Sequence, residues 1–361
     1  MGFSRALSEA FDRGSVPPTA TFRPAVHRYA IFTAFCTVLL LVAGALVTSN
    51  DAGLAVPDWP TSYGTFFPPM VGGIFYEHGH RMVATFVGLV TVGLALILWK
   101  SESRPWMRKL GAAALAAVIV QGLFGGLTVM LRLPPAVSII HATLAQAFFC
   151  ITVAISVFTS RWWCSSGFTP PSEAVAPGST PPSLDDAGKP PLATLALWLA
   201  GLTFLQLVLG AAVRHNAIGI APHLVGAAAV IAFVIVVGRA VRLRFASVVI
   251  LRRISAALHS VAGTQILLGA AAWWSRSATR DAPQPQPIMI WLTVAHTVFG
   301  ALVLATTVVF ALICQRLFAS RMGRVATVND VLTVGTSLRS PEMRREALCQ
   351  EAPEARSSGA N

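Results

Sequence analysis

The sequence predicts an all-α integral membrane protein: eight transmembrane helices arranged as two pseudo-repeated four-helix bundles, both termini cytoplasmic. Three observations carry this expectation. The 361 residues are 55% hydrophobic and only 12% charged, with mean hydropathy +0.66, which is too apolar for a soluble domain of this length. Runs long enough to cross a hydrocarbon core of about 30 Å as helices recur eight times. A short glycine-containing phrase returns in every second run.

The runs fall at about 28–48, 78–99, 110–131, 138–159, 193–213, 219–238, 247–273 and 288–314. Basic residues punctuate them asymmetrically. Arg5, Arg13, Arg23 and Arg28 precede span 1; Lys100, Arg104, Arg108 and Lys109 separate spans 2 and 3. Arg239, Arg242, Arg244, Arg252 and Arg253 separate spans 6 and 7, and Arg316, Arg321 and Arg324 follow span 8. From Val47 to His80 there is no Lys or Arg, so the positive-inside rule turns this connection outward. The net charge of +12 is therefore topological, with anionic lipid as its partner rather than nucleic acid.

Five segments follow from this reading. They are a cytoplasmic N-terminal segment (1–27), an N-terminal four-helix bundle (28–160), a linker (161–192), a C-terminal bundle (193–315) and a polar cytoplasmic tail (316–361). The linker contains SSGFTPPSEAVAPGSTPPSLDDAGKPP, rich in Pro, Ser and Gly with little to bury. The first 27 residues lack the order of a cleaved signal peptide, so span 1 is expected to stay as an anchor. Five cysteines fit no metal motif and read as packing residues or incidental thiols.

The repeated phrase is LLVAGALV (40–47), QGLFGGLTV (121–129), QLVLGAAV (206–213) and QILLGAAA (265–272). Each places a Leu or Gln four residues before a Gly that a small residue follows. Small residues let helices in lipid approach closely, so the phrase reads first as a packing face. Each following span carries a histidine near its outer end: His80, His141, His223 and His296. An intramembrane imidazole is costly unless paired or used. Singly, each would be a hydrogen-bonded packing residue; four at equivalent places argue for ligands. Two parallel helices within one half can present imidazoles to opposite faces of a flat ligand, as bis-histidine haem requires. His80 with His141 makes one candidate site and His223 with His296 the other. Zinc is less suited, with two obvious ligands per half and no Cys cluster.

Glu77 lies three residues before His80, one turn away on a common helix face. It can handle protons beside a haem edge, or pair with Arg81 and favour a helix N-terminus. Arg81, Arg132 and Arg214 stand near the outer openings, suited to haem carboxylates or to interfacial snorkelling. His27, His78, His215 and His259 fall outside the repeat and are not assigned as ligands.

From about His27 to Cys314 the sequence resembles the haem A synthase family. GALVTSNDAGLAVPDWPTSYG (44–64), EHGHR (77–81), QGLFGGLTVMLRLPPAVSIIHATLAQ (121–146) and LGAAVRHNAIGIAPHLVGA (209–227) carry the resemblance. It implies two similar four-helix halves and oxidation of a ring methyl of haem O to a formyl group, giving haem A for cytochrome oxidases. By the same resemblance, His80 and His141 flank the haem O substrate, His223 and His296 are the axial pair of a haem B, and Glu77 is a catalytic carboxylate. It further implies a bacterial cytoplasmic membrane with the haem sites toward the outer face, haem O supplied by a haem O synthase, and an electron partner that the residues do not identify. A homo-oligomer is left open. The chain departs from many bacterial members in the first outer loop, where Val56 and Ser62 stand at the positions of a cysteine pair, excluding thiol chemistry there. Two other classes compete: a non-enzymatic dihaem cytochrome exchanging electrons with quinone, and a repeat-built transporter using the histidines for protons.

Overall fold

The computed structural model describes residues 21–165 and 191–337, with side chains as far as Phe318. Most of the expected linker, the first 20 residues and the end of the tail lie outside the described residues. Eight long helices cover the apolar runs: α1 (Pro24–Ser49), α2 (Gly72–Ser101), α3 (Pro105–Met130), α4 (Pro135–Phe158), α5 (Leu192–Arg214), α6 (Ala221–Arg244), α7 (Val249–Ala278) and α8 (Pro287–Ser337). All eight are long and apolar enough to cross a membrane, the last through Pro287–Phe318. A single helical turn, Arg161–Cys164, follows α4. The described residues up to Gln315 form one compact unit, and the continuation of α8 beyond it belongs to a second.

Helix starts and stops follow local chemistry. Proline occupies the first turn of α1, α3, α4 and α6, where its missing N–H is no loss. Three outer ends share one closing device. After α1, α3 and α5 the chain turns through Asp51, Arg132 and Asn216, each with φ between 50° and 59°. The next amide then reaches back five residues, as Ala52 N to Val47 O, Leu133 N to Thr128 O and Ala217 N to Ala212 O at 3.0, 2.7 and 2.9 Å. The second helix starts at Gly72 rather than near residue 78, because the chain turns inward at Gly72 (φ 53°) just after Pro68 and Pro69. Glu77 and His78 therefore lie inside the helix, not at its mouth.

In the N-terminal half, α1 packs on α2, α2 on α3, α3 on α4, and α4 back on α1, closing a four-helix ring. Its core includes Val87, Leu94, Leu98, Met107, Phe148 and Ile155. At the end where α2 meets α3, Arg104 is buried, holding Glu102 with two hydrogen bonds and donating to Phe158 O at 3.1 Å. Burial pushes the Glu102 carboxyl up, but the Arg104 hydrogen bonds outweigh it and leave it below its ordinary value. In the C-terminal half, α5 packs on α6 and α6 on α7. The halves meet where Phe149 and Val153 of α4 and Val38 and Leu41 of α1 pack against Ala301 and Ala305 of α8.

Candidate functional site

The glycine of each repeated phrase faces the histidine of the next helix. A Cβ built on Gly44 would lie 3.1 Å from His80 Cε1, and on Gly125 3.1 Å from His141 Cε1. The corresponding distances are 3.0 Å for Gly210 and His223 and 2.9 Å for Gly269 and His296. The phrase is a packing face, as its small residues suggest, and what packs on it is the imidazole. Two signals in the sequence, the phrase and the histidine, are thus two sides of one contact.

The glutamine one turn before each glycine adds a tether. Gln121 Nε2 donates to His141 O at 3.0 Å, and Gln206 Nε2 to His223 O at 2.9 Å. The Gln206 amide nitrogen also stands 3.0 Å from His223 Nδ1. The first repeat has Leu40 at this place, so His80 has no such amide. The one sign of this tether in the sequence is the four-residue spacing of each glutamine from its glycine.

All four imidazoles are half-buried. Nδ1 of His80, His141 and His296 makes no hydrogen bond, although it is shielded from solvent. Such an orphan is uncommon and marks a group suited to a ligand. His223 and His296 approach with ring centroids 6.3 Å apart and planes at 84°. Two iron–nitrogen bonds of about 2 Å, plus a ring radius of about 1 Å on each side, separate two axial imidazoles by about 6 Å. The C-terminal pair fits a bis-histidine haem by this measure. Among the described residues no cluster of three or more His, Cys, Asp or Glu is placed to hold a metal ion by protein ligands alone.

The outer connection of the N-terminal half, residues 50–71, folds as a cap latched onto α2. Glu77 is 3% exposed, and both its carboxylate oxygens are engaged. Oε1 accepts from Arg81 Nη2 at 2.6 Å and Oε2 from Val56 N at 2.7 Å. The Arg81 guanidinium donates further to the carbonyls of Val56, Asp58 and Thr61, at 3.2, 2.7 and 2.8 Å. Ser62 Oγ and His78 Nδ1 share a hydrogen bond of 2.8 Å. Val56 and Ser62, where many bacterial family members carry cysteines, are both buried and both bonded to Arg81. A guanidinium clamps this loop.

Within the cap, Asp58 gathers the turn that follows it. Its carboxylate accepts from Gly64 N at 2.9 Å, Thr61 Oγ1 at 2.7 Å and Tyr63 N at 2.6 Å. These bonds, led by that from Gly64, hold its carboxyl at about 2, below the usual carboxylate range. Trp59 lies against the α3 backbone at Gly126, next to the glycine that faces His141. The cap thus touches α3 beside the glycine that faces His141, through a contact with no sequence signature beyond the doubled glycine.

Of the three arginines near the outer openings, Arg81 is occupied by the cap and Arg132 is exposed on its turn. Arg214 reaches across the halves. It donates to Ala45 O and Ser49 Oγ of α1 at 3.1 and 2.8 Å, and to Thr297 Oγ1 of α8 at 3.3 Å. His259 bonds Ser255 O at 2.7 Å within α7 and takes no part in either pair.

Comparisons with known proteins follow the same regions. Residues 71–223 match the model of the family COX15-CtaA, described as cytochrome oxidase assembly protein. The chain is 30% identical over 194 residues to the haem A synthase of Symbiobacterium thermophilum, covering 52% of this chain and 58% of that protein. It is 29% identical over 140 residues to the haem A synthase of Bacillus pumilus, covering 37% and 45%. A protohaem IX farnesyltransferase of Halobacterium salinarum is 30% identical over 120 residues, covering 33% and 27%. The chain thus spans about half the length of the curated haem A synthases it matches. The matched segment contains Glu77, His80, His141 and His223 with their glycine partners Gly125 and Gly210.

Proposed function

We propose that the protein is a haem A synthase, oxidising a ring methyl of haem O to a formyl group to give haem A for cytochrome oxidases. The observation that carries this reading is the glycine–imidazole contact repeated in all four hairpins, which sets two histidine pairs, one under a latched cap and one at axial spacing. His80 and His141 flank the substrate haem O, and His223 and His296 hold a haem B. That haem supplies one-electron transfer when bound.

The chain's own residues orient, exclude water and move protons. Converting methyl to formyl with water as the oxygen source (R–CH3 + H2O → R–CHO + 4 H+ + 4 e−) proceeds through the alcohol and its hydrated aldehyde, releases protons at the substrate edge and passes the electrons, one at a time, to an external electron acceptor. Glu77, one turn from His80, is the carboxylate assigned to take them. Its bonds to Val56 N and Arg81 make proton exchange and cap position two aspects of one group. The cap, with Trp59 against α3, limits water at the N-terminal pair. The positive-inside pattern supports both termini on the cytoplasmic side of a bacterial membrane, with both sites toward the outer face. A farnesyl-transferring enzyme, the activity named for one relative, is the class that supplies haem O.

The test is haem extraction from membranes of a host that makes haem O but not haem A, with and without this protein. Haem A or its hydroxymethyl precursor should appear only with it. A haem-carrying protein that leaves haem O unchanged beside a compatible electron donor overturns the enzymatic reading.

A further inference from the structure

Arg214 is an intramembrane cation without an ion-pair partner among the described residues. Its three hydrogen bonds go to neutral acceptors: a backbone carbonyl and two hydroxyls. A guanidinium has five donors in a planar fork, and burying its charge without an anion is expensive. The charged groups acting on it are Arg276, of like sign, and Asp51, which stays outside ion-pair range. Its position relative to the C-terminal histidines is defined from two sides. It lies one turn beyond Gly210, whose backbone touches His223, and it bonds Thr297, the residue after His296.

We infer that Arg214 binds a carboxylate of the haem held between His223 and His296, and joins that pocket to the N-terminal half through α1. This rests on the proposed haem site. The donors that remain, on Nε and Nη1, can each give a charge-assisted hydrogen bond to an anion. Arg81 and Arg132 do not compete for the role: one is engaged by cap carbonyls and the other is exposed on a turn. The bonds to Ala45 O and Ser49 continue into the α1 segment beside Gly44, which faces His80. Ser49 Oγ lies 2.9 Å from Thr293 Oγ1 of α8, so the same polar layer fastens α1 to the helix that carries His296.

The test uses the full chain, produced in haem-depleted cells and titrated with haem B or with haem B dimethyl ester, whose carboxylates are capped. Wild-type protein should retain haem B at least about tenfold more tightly than the ester, as loss of a charge-assisted hydrogen bond implies. In Arg214→Gln that preference should fall below about twofold, because the two losses are not additive when they remove one contact. Redox titration gives a readout that a merely structural role would not move. Removing the cation favours the ferric state, and a tenfold change in the reduced-to-oxidised ratio lowers the midpoint by about 59 mV for one electron. Arg214→Lys should restore most of the midpoint.

Equal wild-type affinity for haem B and the ester overturns the inference, without requiring any variant to fold. So does an unaltered midpoint in Arg214→Gln, or a lowered midpoint with the ester preference intact, which would place another anion, such as a lipid phosphate, on Arg214. Wild-type protein that binds neither haem overturns the haem reading itself, a separate outcome from the failure of this contact alone.

Discussion

The two halves repeat one contact and differ in what surrounds it. In the N-terminal half, residues 50–71 fold as a cap latched to the helix that carries His80, through Glu77, Arg81 and His78 of α2. In the C-terminal half only residues 215–220 join α5 to α6, and the nearby cation reaches into the other half instead. The tethers differ too: Gln206 holds the His223 carbonyl, whereas the first repeat has Leu40 where the others have glutamine. The C-terminal imidazoles stand with ring centroids 6.3 Å apart. A cap held by hydrogen bonds suits a group that must enter and leave; short connections and amide tethers suit one that stays.

That contrast breaks most visibly at the axial pair. His223→Ala or His296→Ala should abolish retention of the permanent haem, read as loss of its absorption in purified protein, while His80→Ala and His141→Ala should keep it. If all four variants retain the same spectrum, the assignment of roles to the halves is wrong. Glu77→Gln should lower haem A formation by about 10²-fold or more, the range of general acid–base groups, with the C-terminal haem still bound. Full product yield in that variant would leave Glu77 as a cap latch only.

The glycines sharpen the comparison by a smaller margin. Gly269→Ala would place a methyl 2.9 Å from His296 Cε1, forcing that ring to move. Overpacking of about 1–3 kcal/mol predicts roughly tenfold weaker retention of the C-terminal haem. The same change at Gly44 should spare that haem and reduce product, since its neighbour is His80.

Asp58 gives a pH-dependent test. Its carboxyl is held at about 2, against an ordinary 3.8, so its contribution to the cap is fully present above pH 3.8 and is lost as pH falls through about 2. Wild-type protein should keep slow hydrogen exchange at Tyr63 N and Gly64 N until that window. Asp58→Asn should exchange faster at neutral pH and lose the acid transition. The smallest effect is expected at Gln121→Leu, which makes the third helix resemble the first. Its cost should be about 1 kcal/mol, the scale of an interhelical hydrogen bond in a membrane, read by thermal unfolding.

Much of this organisation was legible because lipid leaves strong marks on composition. The eight spans follow from hydropathy, and the four histidines stand out because imidazole is costly there. The start of α2 at Gly72 was less legible, since GGIFYE has neither the apolar density of a span nor a side-chain cap. The Arg81 clamp was hidden for a different reason. Its acceptors at Val56, Asp58 and Thr61 are backbone carbonyls, which every residue carries alike. Glu77 and His80 lie three residues apart in α2, but the cap amide that holds Glu77 comes from 21 residues earlier, beyond the reach of helical spacing. Arg214 was singled out by charge, while its bridge to α1 depends on how the two halves meet.

A glycine has no rotamer, so an imidazole resting on one is referenced to the main chain itself. At Gly44, Gly125, Gly210 and Gly269 each ring is gauged against a helix axis rather than against another side chain with its own freedom to hop. The ring's placement then follows the separation of two helices, a quantity shared by many contacts along their length and averaged over all of them. Distortion at one distant side chain is diluted before it reaches the ring, whereas sliding or splaying of an entire hairpin is passed on undiminished. Bilayer thickness and lateral pressure, which act on whole helices, are therefore the disturbances to which these sites should be most responsive.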